Sequence, residues 1–255
     1  YSDNVFVNST ISILAIAGSL GFIVITDVWY RIRGKSNKIS FTTKIIVYGF
    51  LLLLTIGTLL VYFAEPTVQD SETSLMQSFF QAMTAMTTVG FNTISTGGLS
   101  LPILLFVTFL MYLGASPSGT AGGLKITTLT AMVSVLKSRL FGQKKITFLG
   151  RAIPFERLYV ATSTFILYTS IIFLFCFFMA FTEDFEFERI LFEIASALGT
   201  VGLSTGITGD LSNIGKLLII ILMFIGRVGV LTFGFALLER KQDQITPIIE
   251  EDLAV

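Results

Sequence analysis

Two short polar segments of this sequence have the composition of a binding site for a dehydrated cation. Residues 88–91 read Thr-Val-Gly-Phe and residues 200–203 read Thr-Val-Gly-Leu. A cation that sheds its water needs replacement oxygens, and backbone carbonyls provide them when several such segments surround one axis. Glycine helps because it adopts backbone angles that a Cβ penalises; the alternative is that both glycines only form turns. The candidate filter residues are Thr88, Val89, Gly90, Phe91, Thr200, Val201, Gly202 and Leu203.

The two segments belong to an internal repeat with a constant offset of 112 residues. An ungapped comparison of 79–114 (the first copy) with 191–226 (the second copy) gives 14 identities in 36 positions. In each copy a short apolar stretch precedes the polar segment. Because a membrane-spanning helix needs about 20 residues, we expect re-entrant helices at 75–86 and 189–198.

A third group of candidate residues lies after the first filter segment, where the apolar stretch that begins at 101 breaks at 114–123. Glycine and proline interrupt helical hydrogen bonding and leave carbonyls without partners. Arg227 lies within the last apolar segment, where a charged side chain needs a partner, and the offset aligns it with Ala115. We interpret the break as a flexible plug under the filter, with Arg227 as its latch, assisted by Lys125. The residues of this loop are Gly114, Ala115, Ser116, Pro117, Ser118, Gly119, Thr120, Ala121, Gly122 and Gly123.

The same residues leave other interpretations open. The break can be a mere kink, with Arg227 extending toward the membrane surface and Lys125 as an interfacial anchor. A broken helix is also typical of alternating-access carriers, which bind substrate at the break. An intramembrane hydrolase would use Ser118, but the sequence contains no histidine, so only a Ser118–Lys125 pair is available to activate it. We favour a gated cation pathway and expect no enzyme.

Composition assigns the chain to the lipid bilayer. Of its 255 residues, 53% are hydrophobic and 13% are charged, about half the charged share of a soluble domain. The 17 basic and 17 acidic residues balance, so the charge gives no footprint for nucleic acid. One cysteine and no histidine exclude an internal disulfide and a Cys/His metal site. We expect no organic cofactor.

Long apolar segments and basic residues together predict the orientation. Four segments are long enough to cross the bilayer, at 11–29, 45–63, 158–181 and 217–238. Fourteen of the 17 basic residues fall at 31–44, 125–157 and 240–241, whereas the connections 65–74 and 182–188 contain none. The positive-inside rule therefore places the C-terminus in the cytoplasm and both filter segments near the outer face.

The filter segments, the broken helix and Arg227 together resemble the potassium-transporter superfamily of KtrB, TrkH and the plant HKT proteins. In that family four helix–pore-helix–helix repeats in one chain surround one pore, and each contributes one filter glycine. The resemblance spans nearly the whole chain and matches the family's C-terminal half, with Gly90 and Gly202 as filter glycines of repeats three and four. KISFTTK at 38–44 resembles KtrB more than TrkH.

The resemblance implies an all-α membrane protein with parallel helix–pore-helix–helix repeats around a central ion pore. IAGSLGF at 16–22 also resembles FIGRVGV at 224–230, so we expect the first helix to close a preceding repeat. Without an initiating Met, the chain is expected to be a fragment of a longer one. The expected divisions are 1–40 (end of repeat two), 41–145 (repeat three, with the broken second helix), 146–241 (repeat four) and 242–255 (cytoplasmic tail).

The resemblance also implies a function and partners. It implies uptake of K⁺, selected by the filter carbonyls and gated by 114–123, with Na⁺ assisting in Ktr systems. It implies a homodimer in the bacterial plasma (inner) membrane, seated on a cytosolic ring of nucleotide-binding regulatory subunits. Two filter copies cannot enclose a four-part pore alone.

Overall fold

The computed structural model describes residues 4–35, 38–69, 73–143 and 145–237, which are mostly helical. The expectations for Asp70, Glu72, Lys144, the basic pair at 240–241 and the tail at 242–255 lie outside the described residues. The helices are α1 (Val5–Ile32), α2 (Phe41–Ala64), α3 (Pro66–Gln69), α4 (Ser74–Thr87), α5 (Leu101–Tyr112), α6 (Ile126–Leu140), α7 (Phe155–Thr182), α8 (Phe187–Leu198), α9 (Asn213–Val228) and α10 (Val230–Leu237).

Two short strand pairs and two single-turn 3-10 helices (Thr96–Gly98 and Ile207–Gly209) complete the regular structure of the described residues. Strands β1 (Leu113–Gly114) and β2 (Leu124–Lys125) pair in parallel and close the base of the loop between them. Strands β3 (Thr147–Phe148) and β4 (Arg151–Ala152) form an antiparallel hairpin between α6 and α7. The broken second helix predicted from the sequence therefore consists of α5, then a loop whose two ends are paired as β1 and β2, and then α6.

Apolar helices long enough to cross a membrane are present at three places in the described residues, in α1, α2 and α7. Helices α9 and α10 pass the same test together, but they are bent by 99° at the break between them. The expected re-entrant segments are the shorter helices α4 and α8. The all-α membrane fold is confirmed.

The segment predicted as the last span, 217–238, is not one continuous helix, because it breaks at Gly229. This residue has φ 93° and ψ 128°, which a right-handed helix cannot include. Gly226, one turn earlier, packs its Cα so closely on the Leu198 carbonyl that a Cβ there would collide with it. Hydropathy did not predict the break, since both sides of it are apolar.

A similar break occurs in α1 at Gly21, which has φ 73° and ψ 172°. Gly21 is the residue that the sequence comparison aligned with Gly229, so the two segments share a positive-φ glycine at the same place. The similarity of backbone supports the assignment of α1 to a preceding repeat, which stays a prediction.

The interior consists mainly of two apolar clusters, each built around one of the short helices. Helix α4 lies against α2 and α5, with Phe80 and Met83 fully buried. Helix α8 lies between α7 and α9, with Ile190 and Ile194 fully buried. Each short helix is thus surrounded by neighbouring helices. This packing fixes the position of its C-terminal end, where the filter segment begins.

The same pair of hydrogen bonds, here called the polar clamp, joins the first long helix to the last helix in both copies of the repeat. Glu65, the C-cap of α2, accepts hydrogen bonds from the backbone N and Oγ of Ser100, the N-cap of α5, both at 2.9 Å. Glu183, the C-cap of α7, accepts the same pair from Ser212, the N-cap of α9, at 2.9 and 2.5 Å. A carboxylate accepting two such bonds ties the first helix of the unit to the last.

The clamp at Glu183 stabilises the ionised carboxyl. Burial raises the pKa of Glu183, but the hydrogen bonds from Ser212 and its neighbours outweigh this effect and hold the pKa below its ordinary value of 4.5. A folded-state pKa below the unfolded one contributes stability that is present above the unfolded value. That stability is lost as pH falls through the folded value.

We predict that Ser212→Ala lowers the free energy of unfolding by about 1–2 kcal/mol, because it removes the donor to Glu183 and the acceptor of the Gly215 amide. Thermal unfolding of the purified protein in detergent measures the loss at neutral pH. The difference from the unsubstituted protein should shrink as pH drops below 4.5 and Glu183 protonates. Thr10→Ala, which removes only an exposed bond to the Phe6 carbonyl, is the control; equal melting temperatures for both variants would contradict the clamp.

Candidate ion-selectivity site

Both candidate filter segments begin with the same unusual backbone conformation. Thr88, the C-cap of α4, has φ 55° and Gly90 has φ 79°; Thr200 has φ 52° and Gly202 has φ 92°. A left-handed threonine costs about 1–2 kcal/mol, so it persists only where the surroundings impose it. Alternation of left- and right-handed residues turns successive carbonyls toward one side of a strand. Each copy of this arrangement is suited to form one side of a carbonyl-lined cation site.

The helices that precede the segments hold their entry points. The Val89 amide donates to the Thr84 carbonyl at 3.3 Å, and the Val201 amide donates to the Ser196 carbonyl at 2.8 Å. These bonds continue each helix end into its filter segment. The C-terminal ends of α4 and α8, which carry partial negative charge, therefore lie next to the candidate cation site.

The two segments contact each other through their glycines. A Cβ added to Gly90 would collide with the Val201 carbonyl oxygen and lie 3.2 Å from the Cα of Gly202. A Cβ on Gly202 would lie 3.7 Å from the Cα of Gly90. Gly90 is thus fixed by two constraints, its positive φ and the absence of space for a side chain. Of the residues that follow, Phe91 is 56% exposed and Leu203 is 3% exposed.

The loop at 114–123 lies directly against both filter threonines. The Gly122 amide donates to Thr88 Oγ1 at 3.1 Å. A Cβ on Gly122 would lie 2.7 Å from Thr200 Oγ1 and would collide with the Gly199 carbonyl. The structure therefore brings the predicted plug and both predicted filter segments together.

The other side of the loop rests on the break in α1. The Thr120 amide donates to the Gly18 carbonyl at 3.0 Å, and the Ile23 amide donates to Ser118 Oγ at 3.4 Å. A Cβ on Gly21 would collide with the backbone of Ser118 and Gly119. The sequence analysis did not predict that the loop contacts this break.

The two predicted latch residues differ in what they contact. Lys125 Nζ donates to the Ala121 carbonyl and, at 3.2 Å, to the Gly122 carbonyl. Arg227 lines a cavity of about 440 Å³ together with Thr88, Thr120 and Thr200. Within the described residues no hydrogen bond joins Arg227 to a loop carbonyl. The bonds expected of Arg227 are therefore made by Lys125, the residue that was predicted only to assist.

A second cavity, of about 760 Å³, lies between the loop and the last helices. Both cationic side chains, Lys125 and Arg227, line it, and so do Thr200, Gly226 and Gly229. Two positive charges that face this cavity disfavour the binding of a cation in it. The arrangement is suited to controlling passage rather than to storing ions.

Several residues of the site were not assigned a role from the sequence. They are the hydroxyl partners of Glu193 in the segment after the second filter and the serines of the two clamps. Glu193 itself is marked in the sequence as the polar residue aligned with Gln81, a candidate to bind a filter backbone group or to add negative potential. The repeat contains a signal for them, since Thr93, Thr96 and Ser100 are identical to Thr205, Thr208 and Ser212 across the offset. Identity within a repeat marks positions that both copies need, but it does not identify their partners.

Comparison with known proteins finds a family and relatives that are all described as cation transport or uptake proteins. A family described as TrkH, cation transport protein, matches residues 1–246. The Ktr system potassium uptake protein B of Bacillus subtilis is 35% identical over 251 residues, which is 96% of this chain and 56% of that protein. The potassium/sodium uptake protein NtpJ of Enterococcus hirae is 36% identical over 245 residues, covering 92% of this chain and 53% of that protein.

The fold also matches a solved structure. The crystal structure of the potassium transporter TrkH from Vibrio parahaemolyticus superposes with a TM-score of 0.75 at 18% sequence identity, over 93% of this chain and 53% of that one. The chain thus spans about half the length of the relatives that it matches.

We predict that Lys125→Met raises amide hydrogen exchange in 118–123 by about tenfold or more, because it removes charged donors from two loop carbonyls. Exchange measured by mass spectrometry on the full-length protein tests this. Lys137→Met, at the exposed end of the same helix, should leave the loop unchanged. If Arg227→Met has the larger effect on the loop, the assignment of its bonds to Lys125 is contradicted.

Proposed function

Because the chain belongs to the TrkH family of cation transport proteins, we propose that it forms part of the ion pathway of a K⁺ uptake protein. The observation that carries this proposal is the pair of Thr-Val-Gly segments with matching left-handed threonines and glycines, in contact at Gly90 and Gly202. The choice of K⁺ as the ion is based on the names of the relatives described above, which are potassium uptake proteins.

In this function the carbonyls of 88–91 and 200–203 replace the water of a passing K⁺, and the hydroxyls of Thr88 and Thr200 add oxygens at the inner end. The helix ends of α4 and α8 add negative potential. Since this chain contains two such segments and spans about half of its relatives, the remaining sides of the pore come from residues outside it.

The loop at 114–123 acts as the gate. It occupies the space next to Thr88 and Thr200, so an ion that leaves the filter meets the loop backbone first. Lys125 holds the loop in that position through two carbonyls. Arg227, which lines the same space, adds a positive charge that disfavours an ion while the loop is closed.

The surroundings proposed for the protein follow from the charge pattern and from the relatives. The basic residues of 31–44 and 125–157 place these connections and the C-terminus in the cytoplasm of a multi-pass protein of the bacterial plasma membrane. The word "system" in the names of the Ktr relatives supports partner subunits, for which we propose a homodimer on a cytosolic nucleotide-binding ring. The name of the E. hirae relative supports a contribution of Na⁺.

We predict that Gly90→Ser weakens the preference for K⁺ over Na⁺, because the added side chain collides with the Val201 carbonyl of the neighbouring segment. Uptake of radioactive Rb⁺ into liposomes holding the full-length protein, with unlabelled K⁺ or Na⁺ as competitor, measures this preference. Gly98→Ser is the matched control, because a Cβ at Gly98 meets nothing within 4 Å. An unchanged preference in Gly90→Ser would refute the filter.

We predict that deletion of 118–122 raises Rb⁺ flux, since it removes the contacts of the loop with Thr88 and with Gly18 while the paired base at β1 and β2 remains. The flux assay is the same, with the amount of inserted protein determined in parallel. Lost flux in a correctly inserted protein would argue against a gate. It would favour an alternating-access carrier that binds its substrate at the broken helix.

A further inference from the structure

Glu193 is a buried carboxylate in the middle of α8, with 4% of its surface exposed. It accepts four hydrogen bonds from the segment that follows the second filter. Its Oε1 accepts from Ser204 Oγ at 2.7 Å, from the Thr205 amide at 2.8 Å and from Thr205 Oγ1 at 3.1 Å. Its Oε2 accepts from Thr208 Oγ1 at 2.7 Å. An ionised carboxylate has about four acceptor positions, so the side chain is fully used.

The segment that Glu193 holds continues directly from Leu203, the last residue of the candidate filter. Further bonds stiffen it, because Ser204 Oγ also contacts Thr208 Oγ1 at 2.8 Å and accepts from the Gly206 amide at 2.9 Å. A charged acceptor inside a low-dielectric interior makes such bonds stronger than neutral ones. The outer end of the second filter segment is therefore fixed to its own pore helix.

This fixed segment also supports the first copy of the repeat. A Cβ on Gly97 would collide with the Thr205 carbonyl, and one on Gly90 would collide with the Val201 carbonyl. The two copies of the repeat are thus in backbone contact at Val201, within the second filter segment, and at Thr205, which Glu193 binds. A displacement of the second segment is transmitted to the first.

Among the described residues, the first copy shows no such brace. The offset of 112 residues places Gln81 on Glu193, and Thr93 and Thr96 on Thr205 and Thr208. Gln81 is 0% exposed, yet neither its Oε1 nor its Nε2 has a hydrogen-bond partner among the described residues. The hydroxyls of Thr93 and Thr96 are likewise buried without a partner there.

We propose that Glu193 is the positioning residue of the filter, a single carboxylate brace that sets the carbonyl spacing of both segments. The inference rests on the proposed function, because only in an ion filter does carbonyl spacing determine selectivity. The brace acts on the ratio of K⁺ to Na⁺ affinity more than on the maximal rate, since the loop and not the outer filter controls passage. Charge alone would instead attract both ions equally.

The experiment uses Rb⁺ uptake by the full-length protein in liposomes, competed with K⁺ or Na⁺. Glu193→Gln gives the second copy the residue that the first copy already has, and it should lower the K⁺/Na⁺ preference by roughly fivefold to tenfold. The double variant Thr205→Val, Thr208→Val keeps the carboxylate and removes two hydroxyl donors, and it should lower the preference in the same direction. Glu186→Gln, at the N-cap of the same helix, removes only a surface ion pair to Arg189; it is the control and should leave the preference unchanged.

Gln81→Met tests the asymmetry between the copies. Since the Gln81 amide has no hydrogen-bond partner in the part of the chain that the structure describes, this variant should change the preference less than twofold. An equal loss in Gln81→Met and Glu193→Gln would overturn the single brace. An unchanged K⁺/Na⁺ ratio in Glu193→Gln, with only the KM for K⁺ raised and the threonine double variant normal, would show that Glu193 acts by charge and would also overturn it.

Amide hydrogen exchange of 204–206 separates this inference from the proposed function. Exchange there should rise at least fivefold in Glu193→Gln, because the Thr205 amide loses its charged acceptor. If the unsubstituted protein takes up no Rb⁺, the proposed function fails, and unchanged exchange in the variant would independently refute the brace.

Discussion

Carbonyl oxygens that bind a dehydrated cation must keep out of internal hydrogen bonds, although an unpaired backbone group inside a membrane is costly. As the proposed filter, the residues at 88–91 and 200–203 are subject to this constraint, and the surrounding structure supplies the contacts that their own backbone bonding cannot. The amides of Val89 and Val201 bond back to the preceding helices. Helices α4 and α8 are buried among longer helices, and left-handed threonines turn the chain at the helix ends.

Close backbone contacts between different parts of the chain connect the filter to the gate. Gly90 contacts the Val201 carbonyl, Gly122 contacts the Gly199 carbonyl, and Gly119 approaches the Ser19 carbonyl of α1. Only residues without a side chain permit these approaches. The filter, the loop and the break of α1 therefore form one packed unit, in which movement of the loop alters contacts on both of its sides.

Charge is distributed unevenly around this unit. Carboxylates lie toward the filter side, where Glu193 binds the outer filter segment and Glu65 and Glu183 clamp the helix ends. The positive side chains of Lys125 and Arg227 face the cavities on the loop side. In the proposed function this distribution favours a cation before the filter and disfavours it behind the filter while the loop is closed.

The amino-acid sequence alone determined the class of the protein, the helices at 45–63 and 158–181, the short helices at 75–86 and 189–198, and the place of the loop. Apolar length and an internal repeat carry this information because they depend on residue type and spacing only. The tertiary structure decided the break at Gly229 and the hydrogen bonds of Glu193. It also decided that Lys125, and not Arg227, donates to the loop carbonyls. These features depend on which distant segments meet. Whether a glycine adopts a positive φ depends on what packs around it, and the partners of a carboxylate depend on which hydroxyls the fold brings to it.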